Sequence, residues 1–411
     1  MFAFVARVCL AVIGLMGIAP ALGAAGSTLP DRILYSFLRN GLDGAWPASS
    51  LTADARGGFY GTATAGGSPA CTDGCGVVFH LIARVKGDGF VAKAIHRFKW
   101  SNPSDGSGPS GGLIADASGA LYGATAFGGN TACQSGCGTL YKLTPHGDTF
   151  SESVIYSFSG GADGSDPRGP LVLDARGNLF GTASNGGAQG AGVVFELMPS
   201  GKTHTLRVLY TFGSGQNPTG PLLGDARGNF YGLTSGGFGT VYMLSPSAKN
   251  DYTESTLYSF LDGNDGAGPE GPLSFGPHGE IYGTASFGGA YNNGVVFSLS
   301  PTAHAEGDER VIHTFSSIGS QPCCGVFVDR YGTLYGTTDY DHAKPCAHFS
   351  CGILFRMVPD HGVFDYTILH IFGFGHDGGY PTGVIAGPNG ELYGTTIFGG
   401  AYGAGTVYRI R

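Results

Sequence analysis

Short apolar runs of strand length recur along the whole chain, and Gly, Pro, Asn or Asp bounds each of them. One repeat carries four such runs, at Leu171 to Leu173, Asn178 to Ala183, Gly192 to Leu197 and Leu206 to Phe212. This length and punctuation are typical of β-strands, and no segment sustains the 3.6-residue apolar period of a helix. The pattern predicts an all-β protein made of repeating units, each with four short antiparallel strands that we call first to fourth.

An aromatic residue followed by Gly, and usually then by Thr or Ala, marks the second strand of each unit. The spacing between successive copies of this kernel is 62, 58, 51, 51, 53 and 58 residues, which accommodates four strands and their loops. Four strands per repeat favour propeller blades over the coils of a β-solenoid. We expect the 75 glycines to lie in turns. The seven kernels begin at Tyr60, Tyr122, Phe180, Tyr231, Tyr282, Tyr335 and Tyr393.

The two ends of the chain predict how the repeats close. Fourth-strand sequence occurs at Ile33 to Phe37, before any other strand, and the chain stops directly after the third strand from Thr406 to Ile410. If residues 33–37 complete the last blade, no strand is left without a partner and the sheet edges are protected. We therefore predict a seven-bladed β-propeller of four-stranded blades over residues 26–411, closed by its N-terminal strand.

The start of the chain resembles an export signal. Arg7 precedes an apolar run from Val8 to Ala19, and small residues follow up to Ala25. This order is typical of a secretory signal peptide over residues 1–25, whereas the run is short for a membrane anchor, the alternative interpretation. We expect a secreted protein, extracellular or periplasmic, with no membrane span in the mature chain.

Charge limits the classes of partner. Only 13% of residues are charged and the formal net charge is -8, so the chain lacks the basic surface that nucleic acid or an anionic membrane requires. We expect neutral or polar ligands, and a monomer.

Three sequence features resemble the GloVer-type tandem repeat of bacterial surface and secreted proteins. They are the kernel at 392–396, the Gly-Gly at 399–400 and the Gly-x-Val-Phe-x-Leu strand at 192–197, which return along essentially the whole mature chain. The resemblance implies export and a propeller-like fold, but supplies no established catalytic residues. Members often carry a C-terminal anchor, which we do not find after the last strand. The turn at 174–180 is also similar to streptogramin-lyase-like propellers, without a matching catalytic His pair.

Three cysteine pairs occupy the loop between second and third strands in three different repeats. In an exported protein this placement predicts local disulfides, Cys71 with Cys75, Cys133 with Cys137 and Cys346 with Cys351. A metal site is the alternative in the third of these loops, which also contains His342 and His348. The adjacent Cys323 and Cys324 either form a vicinal disulfide or pair elsewhere.

An Asp-Gly pair recurs in the loop from fourth to first strand, on the same face as the cysteine loops. A partial ring of carboxylates there could bind calcium or sugar hydroxyls, whereas the alternative is that Asp-Gly before Pro is simply good turn sequence. The residues are Asp43, Asp105, Asp163, Asp265 and Asp377.

The sixth repeat departs from its siblings in two loops of that face. It has Gln321-Pro322-Cys323-Cys324 in place of Asp-Gly, and Asp339-Tyr340-Asp341-His342 in place of Gly-Gly. Sites break local rules more often than scaffolds do, although drift of one repeat is the alternative. We hypothesise a ligand site lined by Asp339, Tyr340, His342, His348, His376 and Asp377.

A repeat ring offers a rigid surface, and loops of varied length on one face suit recognition. The sequence therefore favours a binding module for a polysaccharide or a protein partner, with no cofactor and no catalytic residue assigned. The alternatives are an extracellular polysaccharide lyase or hydrolase and a structural envelope protein. A hydrolase would need two carboxylates roughly 5 to 10 Å apart.

Overall fold

The computed structural model describes residues 32–38, 42–71, 73–84, 89–99, 105–247, 251–301, 309–316, 319–340, 352–373, 375–387 and 390–411. The regular structure in these ranges is entirely β, thirty strands in seven antiparallel sheets. The sheets are the blades of a seven-bladed propeller, as predicted. None of the described segments forms a helix that could cross a bilayer. The predicted signal peptide at 1–25 lies outside the described residues.

The first three blades follow the chain from its second strand. Blade 1 consists of β2 (Ala45–Pro47), β3 (Thr52–Ala53), β4 (Phe59–Ala65), β5 (Val77–Ala83) and β6 (Phe90–Arg97). Blade 2 consists of β7 (Ser107–Pro109), β8 (Ile114–Ala115), β9 (Leu121–Phe127), β10 (Thr139–His146) and β11 (Thr149–Ser157). Blade 3 consists of β12 (Ser165–Leu173), β13 (Leu179–Asn185), β14 (Val193–Ser200) and β15 (Thr203–Thr211). In blades 1 and 2 the predicted first strand is divided into two short pieces.

The remaining blades have four strands each. Blade 4 consists of β16 (Pro218–Gly224), β17 (Phe230–Thr234), β18 (Thr240–Pro246) and β19 (Tyr252–Ser259). Blade 5 consists of β20 (Ala267–Phe275), β21 (Ile281–Phe287), β22 (Val295–Leu299) and β23 (Glu309–Thr314). Blade 6 consists of β24 (Val326–Val328), β25 (Leu334–Thr338), β26 (Ile353–Asp360) and β27 (Val363–Ile371). Blade 7 consists of β28 (Gly379–Ala386), β29 (Leu392–Phe398), β30 (Thr406–Ile410) and β1 (Arg32–Ser36).

The N-terminal strand closes the ring. β1 pairs antiparallel with β30, with Arg32 opposite Arg409 and Ser36 opposite Thr406. The sheet of blade 7 therefore has the order β1-β30-β29-β28. The predicted closure by residues 33–37 is confirmed, and it covers the edge that β30 would otherwise expose.

Each seam between blades contains one equivalent aromatic pair. The Phe that ends a fourth strand packs edge-on against the aromatic residue of the next blade's third strand, as Phe158 does on Phe195, with ring centroids 5.2 Å apart and planes at 64°. Such a pair contributes about 0.5–1.5 kcal/mol beyond its buried area. Phe37, which follows β1, packs on Phe79 in the same way at 5.0 Å, so the closing strand also fills a seam. The other pairs are Phe98–Tyr141, Phe212–Tyr242, Phe260–Phe297, Phe315–Phe355 and Phe372–Tyr408.

The kernel glycines are not turn residues, so our expectation that the glycines lie in turns is wrong for them. Gly181 lies within β13, where a Cβ atom would be only 2.7 Å from Cζ of Phe195. The third-strand aromatic ring covers the kernel glycine in the same way in all seven blades. The recurring glycine is therefore required because no side chain fits beneath that ring.

The kernel threonine joins neighbouring blades. Thr182 is buried and its Oγ1 donates a hydrogen bond to the Gly220 carbonyl of blade 4, at 2.9 Å. Thr62 makes the equivalent bond to the Gly111 carbonyl of blade 2, at 2.8 Å. In blades 1 and 3 the kernel thus serves both packing inside its own blade and hydrogen bonding to the next.

The loops that carry the candidate chemistry share one face, which we call the loop face. Its position follows from strand register: the start of each first strand pairs with the end of the second strand, as Ser165 does with Asn185. Below these ends the first strands of neighbouring blades pack backbone against backbone. A Cβ on Gly169 would lie 2.8 Å from Pro221 N, and one on Gly220 would lie 3.1 Å from Gly271 O.

Candidate functional site

The chain enters the first strand of every blade through a residue that precedes a proline and has a positive φ. Glycine adopts this left-handed conformation at little cost and occupies the position in blades 2 and 5. The other five blades place a larger side chain there, although a non-glycine residue in this region costs about 1–3 kcal/mol and is typical of functional sites. The seven residues are Trp46, Gly108, Asp166, Asn217, Gly268, Gln321 and Tyr380, with φ of 58°, 59°, 56°, 28°, 62°, 54° and 57°.

Two of these residues belong to a continuous run of aromatic side chains, which we call the aromatic arc: Trp46, Phe398, Tyr380 and Tyr340. Trp46 of blade 1 lies edge-on to Phe398 of blade 7, with ring centroids 6.2 Å apart. Phe398 packs on Tyr380 at 5.4 Å, and Tyr380 packs on Tyr340 of blade 6 at 5.7 Å. All four side chains are half-buried, so the arc presents partly exposed rings across three blades.

More aromatic side chains lie on the same face. Phe127 and Phe287 end the second strands of blades 2 and 5, and each is 46% exposed. Each ring lies over the pre-proline glycine of its own blade: a Cβ on Gly108 would be 3.0 Å from Phe127 Cδ2. Exposed aromatic surface on the loop face is therefore not confined to the arc.

A pair of carboxyl groups lies beside the arc. Asp339 follows β25, and its backbone N–H donates to the Gln321 carbonyl at 3.0 Å. Burial raises the pKa of the Asp339 carboxyl to about 7, and the negative charge of Glu270 in β20 contributes to the shift. Burial also raises the pKa of Glu270, while a hydrogen bond with Ser286 opposes that shift. Asp339 therefore keeps its proton until close to neutral pH.

A vicinal disulfide borders the carboxyl pair. Cys323 and Cys324 are bonded to each other, and both sulfur atoms lie within 4.8 Å of an Asp339 carboxylate oxygen. Cys324 occupies the position at which five other blades have Gly in the closely packed first strands. The vicinal bridge, one of the two interpretations that the sequence left open, is therefore the one present.

The loop disulfides agree with the sequence prediction where the structure describes them. Cys71 is bonded to Cys75 in blade 1, and Cys133 to Cys137 in blade 2. The predicted pair Cys346–Cys351 lies outside the described residues, as do His342 and His348, which formed the alternative metal site.

The predicted site residues separate into two groups. Asp339 and Tyr340 lie together at the arc. Asp377 accepts a hydrogen bond from Gly373 N–H at 2.9 Å and lies 3.2 Å from His370 Nε2; although burial raises its pKa, these contacts hold the pKa below its usual value. His376 is exposed in the same loop.

The Asp-Gly carboxylates serve their own loops. In blade 4, Asp265 Oδ2 accepts hydrogen bonds from the Tyr258 phenol at 2.9 Å and from Leu261 N–H at 2.8 Å. Asp163 accepts equivalent bonds from Tyr156 and from Ser159 N–H. This anchoring favours the turn interpretation over a ring of carboxylates that bind calcium.

Sequence reasoning missed Trp46, Tyr380, Phe398 and Glu270. A residue before proline at the start of every repeat is visible in the sequence, and its change from Gly to Trp, Asp, Asn, Gln or Tyr was the available signal. Phe398 and Glu270 carry no comparable signal, because each reaches the site only through the packing of its blade on a neighbour, blade 7 on blade 1 and blade 5 on blade 6.

The fold and its seven equivalent seams define a seven-bladed β-propeller assembled from one tandem repeat. The chain belongs to the Gloeobacter/Verrucomicrobia repeat family, whose model matches residues 131–349, more than half of the sequence. This membership confirms the resemblance found in the sequence. No curated protein matches the chain significantly.

Solved structures similar to this chain are distant in sequence. A protein from Lactobacillus plantarum has a TM-score of 0.53 at 12% identity, covering 78% of this chain and 84% of that one. A gluconolactonase from Xanthomonas campestris scores 0.44 at 14% identity, covering 75% and 88%. A protein of unknown function from Dyadobacter fermentans scores 0.44 at 12% identity, covering 93% and 98%. Of these three, the Lactobacillus plantarum protein has a TM-score above 0.5. At 12% identity its similarity supports the fold alone.

Proposed function

We propose that this propeller is a secreted carbohydrate-binding module, which holds a polysaccharide across the aromatic arc of its loop face. The arc carries the proposal. The flat C–H face of a sugar ring packs on an aromatic ring, while Tyr hydroxyls at the edge of the same surface reach sugar hydroxyls. Trp46, Tyr380 and Tyr340 offer both properties side by side.

The surroundings of the arc support a neutral or weakly charged polymer. A carboxyl pair and amide side chains such as Gln321 supply donors and acceptors for hydroxyl groups. The arc is half-buried rather than enclosed, so a long chain could lie across it without having to thread into a cavity.

The disulfides support a location outside the cytoplasm. Local bridges such as Cys71–Cys75 form and persist in oxidising compartments and are rare in reducing ones. We infer that the protein works in the periplasm or outside the cell, where polysaccharides are the abundant polymers.

The test removes arc side chains without changing the backbone. Because blades 2 and 5 use Gly at the pre-proline position, Tyr380→Gly and Trp46→Gly delete one ring each without adding strain. Tyr331→Ala is the matched control, since this 69% exposed aromatic residue lies in the hairpin turn between first and second strands, away from the loop face. Affinity is measured by calorimetry with soluble β-glucans, xylans, mannans and chitin oligosaccharides.

We expect each arc variant to lose about tenfold or more in affinity for the polysaccharide that the wild type binds, since one aromatic contact contributes on the order of 1 kcal/mol or more. Tyr331→Ala should bind as the wild type does. Equal affinity in all four proteins, or no binding of any polysaccharide by the wild type, would remove the arc as a carbohydrate site.

A polysaccharide hydrolase is the second candidate, favoured by the carboxyl pair alone. A buried carboxyl with a pKa of about 7, such as Asp339, is suited to protonate a glycosidic oxygen, and Glu270 would be the second carboxylate. Release of reducing ends from the bound polysaccharide, lost in Asp339→Asn while binding persists, would establish this activity. Binding without release would leave the protein a binding module.

A further inference from the structure

A second cluster of polar side chains lies away from the loop-face arc, at the seam between blades 1 and 2. It consists of His96 from β6, Asp105 from the following loop and Glu152 from β11 of the next blade. One ligand atom from each of the three lies within 4.8 Å of the other two. The shortest approach is between His96 Nε2 and Asp105 Oδ1, at 3.1 Å.

The cluster opens on a groove of about 830 Å³, whose apolar walls are Ile95 and Val154. The Oε1 atom of Glu152 is shielded from solvent and has no hydrogen-bond partner among the described residues. Two cations also line the groove. The Arg97 guanidinium donates to the Leu42 carbonyl at 2.7 Å, and the exposed Lys99 makes no hydrogen bond to the shielded Glu152 Oε1. A buried carboxylate oxygen without a donor requires either a proton or a cation to offset its charge.

The other seams show what is special about this one. In blade 4, Tyr258 stands at the position equivalent to His96, and its phenol donates a hydrogen bond to Asp265 at 2.9 Å. Glu309 of blade 5 stands at the position equivalent to Glu152. The seam between blades 4 and 5 thus repeats the cluster with a phenol in place of imidazole. Among the described residues, the seam between blades 1 and 2 is the one that joins His with both Asp and Glu.

We propose that His96, Asp105 and Glu152 bind one divalent transition-metal ion, with zinc the best match, and that the ion ties blade 1 to blade 2. Imidazole nitrogen and carboxylate oxygen are both zinc ligands, and three protein ligands leave a position for water. The groove supplies access for the ion and for that water. The two carboxylates offset its double charge, and the ion takes the place of the proton between Nε2 and Oδ1.

The electrostatics of Glu152 agree with this assignment. Burial raises the pKa of its carboxyl to about 7; His96 opposes the shift, and the charge of Asp105 adds to it.

The experiment uses the full chain without an oligohistidine tag, stripped with a chelator and then titrated with zinc by calorimetry. We expect the wild type to bind zinc and to melt at a higher temperature with it. His96→Tyr, which copies the seam between blades 4 and 5, should lose one zinc ion per chain. Glu152→Gln, a smaller change, should weaken the affinity at least tenfold. The melting temperature of each metal-free variant is compared with that of the metal-free wild type. This comparison distinguishes loss of folding from loss of zinc binding.

The reverse substitution is the matched gain-of-site test. Tyr258→His gives the seam between blades 4 and 5 the ligands His, Asp265 and Glu309, and should raise the stoichiometry by one ion per chain. A wild type that binds no zinc overturns the proposal. So does zinc uptake that His96→Tyr leaves unchanged, which would point instead to the loop with His342 and His348. Failure of Tyr258→His to gain an ion would show that these three ligand types do not suffice.

Discussion

At the residue scale, the kernel glycine lies where the third-strand ring leaves no room for a side chain. Alanine at position 181 would place a methyl group 2.7 Å from the Phe195 ring, which is itself held in the seam by Phe158. The ring cannot move without opening the seam. Gly181→Ala should therefore destabilise the protein by about 1–3 kcal/mol, the usual cost of overpacking a core.

Urea unfolding measures this effect, with Gly375→Ala as the control. Gly375 is exposed, has an ordinary φ and would have no atom within 4 Å of an added Cβ. If Gly181→Ala were no more destabilising than Gly375→Ala, the packing explanation of the kernel would be wrong.

Residue patterns predicted that the kernel recurs, but not why its glycine is required. The repetition of an aromatic residue with Gly is visible in the sequence, whereas the ring that covers the glycine comes from a different strand and is seen only when the two strands pair. For the same reason our sequence analysis assigned the glycines to turns. It also left two interpretations of the Asp-Gly carboxylates open, because their hydrogen bonds to Tyr258 or Tyr156 join a loop to the strand before it and are seen only in the structure.

At the scale of elements, β1 has two tasks. It pairs with β30 along the edge of blade 7, and it leads into Phe37, which fills the seam with Phe79 of blade 1. A chain that begins at residue 44, after β1 and its loop, would lose both the pairing and the ring. We expect this truncation to lower the melting temperature markedly and to promote association through the exposed edge of β30.

Size-exclusion chromatography and thermal unfolding measure both effects. A chain that begins at residue 32 is the control, because it retains β1 and Phe37 and should behave as the full chain does. A truncation at residue 44 that stays monomeric and melts at the same temperature would contradict the closing role of β1.

The elements were largely predictable, and the candidate site was only partly so. Apolar runs and turn residues are local signals, so the number of blades and the closing strand followed from them. Asp339 and Tyr340 were predicted because blade 6 breaks the repeat. Tyr380 and Glu270 belong to blades 7 and 5, and only the packing of these two blades on either side of blade 6 places them there, a contact that no local pattern records.

At the scale of the whole molecule, three carboxyl groups are strongly perturbed by burial. Burial raises the pKa of Asp339, Glu152 and Glu309 to about 7 in each case, and the charge of a neighbouring carboxylate, Glu270, Asp105 or Asp265 respectively, adds to the shift. In the unfolded chain such groups lose their protons near pH 4. Between about pH 4 and pH 7 these three carboxyl groups therefore hold more protons in the folded protein than in the unfolded chain.

This difference determines how stability depends on pH. Because these carboxyls bind fewer protons in the unfolded state in that window, their contribution to the free energy of unfolding falls as the pH rises. The contribution of the three carboxyls is fully present below about pH 4 and is lost as the pH passes through about 7. We expect the metal-free protein to be more stable at pH 5 than at pH 8.

Substitutions separate this effect from the general repulsion of a chain with net charge -8. Asp339→Asn and Glu309→Gln each remove one titrating group, so each should reduce the stability difference between pH 5 and pH 8, by on the order of 1 kcal/mol or more given 1.4 kcal/mol per pKa unit. Asp365→Asn, at an exposed strand position, removes the same charge and should leave the difference nearly unchanged. Urea unfolding of the four proteins at both pH values, with chelator present, measures the effect. If the stability difference between pH 5 and pH 8 were equal in all four proteins, these carboxyls would not control the pH dependence of stability. The protonated state assigned to Asp339 at the arc would then be wrong as well.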